Sequence, residues 1–81
     1  MRIMPTILTI GAYRFFFVSQ DSTEPPHIHV QRERMVAKFW LDPLVLEKSG
    51  GFQAHELTTI AKLVEEHCGL FTERWNEHFG R

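Results

Sequence analysis

In His27 to Arg32 and Met35 to Leu41 the apolar side chains recur with a period of two, and from Leu57 onward the period lengthens to that of a helix. Thr6 to Ile10 is a β-branched-rich run after Pro5, closed by Gly11, and predicts a first strand ending in a tight turn. In Tyr13 to Ser19, Tyr13, Phe15 and Phe17 share one face and Arg14, Phe16 and Val18 the other. Both faces are largely apolar, which predicts a central strand covered on both sides. Gln20 to Pro26 has the composition of a loop. Pro25 and Pro26 lack amide donors, so they can lead into a paired strand but not lie inside one, and a third strand is predicted over His27 to Arg32. Ile28 and Val30 then face the core, while His27, His29 and Gln31 face the other way, displaying both imidazoles where water or a ligand reaches them. Glu33 and Arg34 make the next turn. In Met35 to Leu41, Ala37, Phe39 and Leu41 face the core, which places Lys38 and Trp40 on the face of His27 and His29. Pro43 interrupts the pairing, Leu44 to Leu46 adds a short edge strand, and Ser49-Gly50-Gly51 is a turn.

A helix follows. With Gln53 as N-cap, Glu56 falls at the position that reaches back to the cap, and Phe52 staples against Leu57. Leu57, Ile60, Ala61, Val64, Cys68, Phe71, Trp75 and Phe79 form one apolar stripe. About 25 helical residues, near 54–78, run to roughly 37 Å, whereas a seven-residue strand covers about 23 Å. Either the helix breaks at Gly69, or an end carrying Trp75 and Phe79 projects as a partner interface or homodimer contact. The expected fold is a single α+β domain over residues 1–81, with a four- or five-stranded, mostly antiparallel sheet near 6–46 and one long C-terminal helix on one face.

Composition adds boundaries. With 43% hydrophobic and 23% charged residues the chain is of ordinary globular type. No apolar run approaches the roughly 20 residues that span a bilayer, and the start lacks a signal-peptide pattern, so no membrane association and a cytoplasmic location are expected. Cys68 is the single cysteine, which excludes an internal disulfide and a multi-cysteine zinc site. The net charge of −1 argues against indiscriminate nucleic-acid binding. It is unevenly spread, however: residues 1–41 hold five Lys/Arg against three Asp/Glu, and residues 42–81 four against seven. An anionic ligand is therefore expected to meet the N-terminal half.

Three kinds of chemistry compete for His27 and His29. In the first, a His-x-His pair on a strand turns both rings to one metal ion, with Glu24 or Asp21 as third ligand; no fourth ligand is evident, and His55-Glu56 does not continue into H-E-x-x-H. No cofactor is therefore assigned. In the second, His27 and His29 act without metal as acid and base, with Lys38 as a third catalytic group, Arg14 and Lys38 neutralise phosphate, and Trp40 or Tyr13 stacks a base of single-stranded RNA. That is a metal-independent ribonuclease or an RNA-binding face, and whether Arg14 reaches it depends on strand order. In the third, the histidines serve structure or a protein interface through both ring nitrogens. Cys68 and His67 are adjacent on the helix and point about 100° apart, which speaks against a nucleophile-base pair.

Pro5-Thr6-Ile7, Arg14-Phe15-Phe16-Phe17, Glu24-Pro25-Pro26-His27-Ile28-His29-Val30, Ala37-Lys38-Phe39-Trp40-Leu41, Gly51-Phe52 and Glu56-Leu57 resemble a family of small bacterial proteins of unknown function. The resemblance covers nearly the whole chain and is carried most specifically by the E-P-P-H-I-H-V block. It implies a compact α+β domain, and a gene often beside that of a second small protein in an arrangement similar to a toxin-antitoxin module. It carries Glu24, His27, His29, Lys38 and Trp40 over as site positions. The functional expectation is a toxin-like component that binds or acts on RNA, with a small partner protein encoded nearby; the rival expectation is a non-catalytic interaction or metal-binding module.

Overall fold

The computed structural model describes residues 3–18 and 23–80. Five strands, β1 (Ile3–Ile10), β2 (Tyr13–Val18), β3 (His27–Arg32), β4 (Met35–Leu41) and β5 (Leu44–Lys48), precede two helices, α1 (Ala54–Glu66) and α2 (Cys68–Phe79). The strands form one antiparallel meander in the order β1-β2-β3-β4-β5. The α+β class is as the sequence predicts, with one helix more. β1 begins before Pro5 rather than after it: the proline, which has no amide hydrogen to give, falls at a register shift between Ile3 and Thr6 on an edge strand, where a ladder bond is dispensable. Ser19 and the candidate ligand Asp21 lie outside the described residues.

The helices pack on one face of the sheet. Phe15, Phe17, Ile28, Val30, Ala37, Phe39 and Leu41 from the strands meet Phe52, Ile60, Val64, Phe71 and Trp75 in one buried cluster. β2 is covered on both sides as its pattern predicts, because Phe16, on the face away from the helices, is also buried. Positive φ shapes two connections, one between β3 and β4 and one between β5 and α1. Glu33 takes φ +58° in the two-residue connection of β3 to β4. Gly50, at φ +62°, lies so close to β4 that a Cβ there would overlap the Val36 carbonyl oxygen.

The predicted long helix is divided at His67, two residues before Gly69. His67 leaves helical geometry at φ −113° and ψ 16°. Its ring Nδ1–H donates to the Leu63 carbonyl at 2.9 Å while its amide reaches Leu63 and Val64 at 3.2 Å, so side chain and backbone share one acceptor as the turn opens. The division keeps the molecule's longest extent at 34 Å, less than the roughly 37 Å of an unbroken helix. The break lets α2 fold back on the sheet. Trp75 is fully buried and Phe79 packs against the core, so neither projects as the expected partner interface or dimer contact.

The helix start is where the pattern places it, yet by other means. Gln53 is the N-cap without a side-chain cap bond, its carbonyl accepting from Glu56 N and Leu57 N at 3.1 and 2.9 Å. Glu56 does not close a capping box. Its carboxylate turns to the sheet and accepts from Arg32 Nε at 2.6 Å, Arg32 Nη2 at 2.8 Å and the Tyr13 hydroxyl at 2.7 Å. A charged fork from β3 outcompetes a neutral amide of the same chain.

Candidate functional site

The face of the sheet opposite the helices carries a row of side chains assembled by register alone. β2 and β3 pair Arg14 with Gln31 and Phe16 with His29; β3 and β4 pair His29 with Lys38 and His27 with Trp40. Strand order thus resolves what the sequence leaves open: Arg14 belongs to the histidine face.

Contacts along the row join two cation-ring pairs through a ring stack. The Arg14 guanidinium lies 4.1 Å from the centre of the Phe16 ring, and Phe16 stacks on His29 at 5.3 Å. Arg14 is oriented by donating to Gln31 Oε1 at 3.2 Å and Thr6 Oγ1 at 3.1 Å. Further along, Lys38 Nζ sits 4.6 Å above the Trp40 ring and donates to Glu24 Oε1 at 2.6 Å. Trp40 Nε1–H donates to Glu47 Oε1 at 2.9 Å, fixing the indole against β5. Phe16, Gln31 and Glu47 escape detection in the sequence because their part in this row is a matter of cross-strand register.

The two histidines differ. His29 is half-buried on the open face. His27, expected to be displayed beside it, is fully buried. Its ring is enclosed by Trp75 at 5.0 Å, His29 at 5.1 Å and Trp40 at 5.5 Å. Its Nδ1 lies 2.9 Å from the Pro25 carbonyl, an atom that only accepts, so Nδ1 carries the proton. The strand begins at a sheet end over which α2 folds, and Trp75 reaches the ring there; the strand's alternation does not register that cover. His27 therefore has no solvent route as one half of an acid-base pair.

The alternative ligand set His27, His29 and Glu24 lies close together, with Glu24 Oε1 3.7 Å from His27 Nδ1 and the two rings 5.1 Å apart, but is not arranged around one point. Among the described residues no three His, Cys, Asp or Glu side chains converge as a metal-holding group; His27 Nδ1 is turned to the loop carbonyl and the nearest Glu24 oxygen is held by Lys38. Tyr13, an alternative stacking residue, is on the helix face and bound to Glu56. Cys68 Sγ contacts the Leu41 carbonyl at 3.6 Å and His67 the Leu63 carbonyl, so those two neighbours do not act on each other. The Tyr13-Arg32-Glu56 cluster shifts its members' protonation: the Arg32 and Tyr13 hydrogen bonds hold Glu56 below the usual carboxylate range, and the bond to Glu56 raises Tyr13. A cleft of about 360 Å³ between β1 and α2, lined by Thr6, Ile7, Arg74, Glu77 and His78, contains neither histidine of the row and meets the row at Thr6, the Arg14 partner.

A family model described as Domain of unknown function (DUF4160) matches residues 12–76. The chain belongs to this family. The matched span of DUF4160 runs from just before β2 to α2 and so contains every residue of the row from Arg14 to Trp40. No curated protein and no solved structure matches the chain. No described helix is long and apolar enough to cross a membrane.

Proposed function

We propose that this DUF4160 chain binds single-stranded RNA on the open face of its sheet, as the toxin-like member of a two-gene pair whose second protein restrains it. One observation carries the reading: Arg14 and Lys38 lie against the rings of Phe16 and Trp40, with His29 stacked on Phe16 between the two pairs, across three adjacent strands on the face away from the helices. Stacking platforms for unpaired bases, flanked by cations that meet phosphates, are what sequence-tolerant single-strand recognition requires. Arg14 and Lys38 are the phosphate groups, Trp40 and the half-buried His29 the stacking surfaces. Binding is placed ahead of cleavage because His27, the second imidazole of a two-group hydrolysis, is sealed by Trp75 and Trp40.

The test is a fluorescence-anisotropy titration of tag-free protein against a fluorescein-labelled, unstructured RNA. Saturable binding is expected, with Trp40→Ala weakening it by about 1–3 kcal/mol and Arg14→Ala lowering both affinity and salt dependence. Absence of binding at low salt, or equal binding by the wild type and an Arg14→Ala/Trp40→Ala variant that melts normally, would sink the reading. Expression should arrest growth, and co-expression of the protein encoded beside it should relieve the arrest.

A further inference from the structure

Lys38 sits in the middle of the row, opposite His29, yet its ammonium is already taken. Glu24 Oε1 lies 2.6 Å from Lys38 Nζ and 3.7 Å from His27 Nδ1. The Lys38 side chain is only 14% exposed and that of Glu24 is 44% exposed, so the carboxylate is the outward member of the pair. An anion approaching this part of the face meets the negative charge first. We propose that Glu24 is a built-in competitor that occupies the phosphate position over Lys38 and sets the affinity of the face for RNA; this rests on the RNA-binding reading above.

The local geometry suits a side chain that swings while its backbone stays. Glu24 is followed by Pro25 and Pro26, whose φ angles are fixed by their rings. Both proline carbonyls are engaged, Pro25 O by the His27 ring and Pro26 O by Leu41 N at 3.1 Å. Rotation of the Glu24 side chain therefore uncovers Lys38 without moving this backbone. A half-exposed ion pair contributes little net stability, so the phosphates of a polyanion can replace one carboxylate. When they do, Lys38 Nζ stays above the Trp40 ring, 4.6 Å from its centre. A phosphate held there delivers its neighbouring base to the indole.

Glu24→Gln removes the charge while preserving shape. In the same anisotropy titration, run at several salt concentrations, Glu24→Gln should bind on the order of tenfold more tightly at low salt. The gain should vanish in a Glu24→Gln/Lys38→Met variant, because it is exerted through Lys38. Wild-type binding with no gain in Glu24→Gln, or a gain that survives Lys38→Met, overturns the competitor while leaving RNA binding in place. Failure of both the wild type and Glu24→Gln to bind overturns the RNA reading and the competitor with it. Matching thermal melts of the three proteins establish that each is folded.

Discussion

His27 and His29 are two positions apart on one strand and have different surroundings, and that difference decides how substitutions there should be read. His27 fills a closed space between two tryptophans and bonds a loop carbonyl. His27→Ala should cost about 2–4 kcal/mol by leaving a cavity and an unmet carbonyl, measured by urea unfolding. His29→Ala should change stability by less than about 1 kcal/mol and weaken RNA binding instead. A double substitution would mix the two effects. Backbone conformation supplies a second pair of opposites. Gly50→Ala should cost more than about 2 kcal/mol, since the Cβ would meet a backbone oxygen that cannot rotate away and φ is positive. Glu33→Gly should stabilise by about 0.5–1 kcal/mol, because glycine adopts φ +58° without the Cβ clash that glutamate bears.

Among elements, the attachment of α1 to the sheet is tied at one end by Glu56 to Arg32 and Tyr13. Glu56 is more acidic folded than unfolded, so its contribution to stability is complete above the unfolded carboxylate pKa of about 4.3 and is lost as pH falls through the lower folded value. Thermal melts from neutral to strongly acidic pH should show that loss in the wild type. Glu56→Gln should be less stable at neutral pH, and the difference between the two should shrink once the wild-type carboxylate is protonated. For α2 the attachment is apolar. Trp75 is fully buried against Phe17, His27 and Phe79, and Trp75→Ala should cost about 3–5 kcal/mol in urea unfolding. That outcome would distinguish a core tryptophan from the exposed contact the unbroken helix implied.

At the scale of the molecule, one sheet serves two purposes. Its inner face is closed by both helices, and its outer face holds two cation-ring pairs, Arg14 with Phe16 and Lys38 with Trp40. The net charge of −1 means that whole-chain attraction does not bring RNA to that face. Binding is therefore expected to depend on a few local contacts and to decline with salt at a slope of about 1.4, some 0.7 for each of the two phosphate-contacting cations Arg14 and Lys38. A much steeper slope in the titration would indicate a larger contact surface than Arg14, Lys38 and their neighbours provide.

The amino-acid sequence by itself determined the strands, their inward and outward faces, the start of α1 and the apolar stripe, because each follows from a short-range period or a turn residue. It also placed Lys38 and Trp40 with the histidines, since alternation fixes faces once the core residues are identified. It did not determine the break at His67: Val64, Cys68, Phe71 and Trp75 stay in helical phase across it, so the stripe carries no mark of the interruption. Nor did it determine which histidine is buried, where Glu56 points or whether Arg14 joins the row. Those depend on α2 folding back over the sheet end, on a guanidinium brought in from β3 and on β2 lying beside β3. Residues distant along the chain meet only after the backbone has closed, and a local pattern holds no information about which of them will arrive.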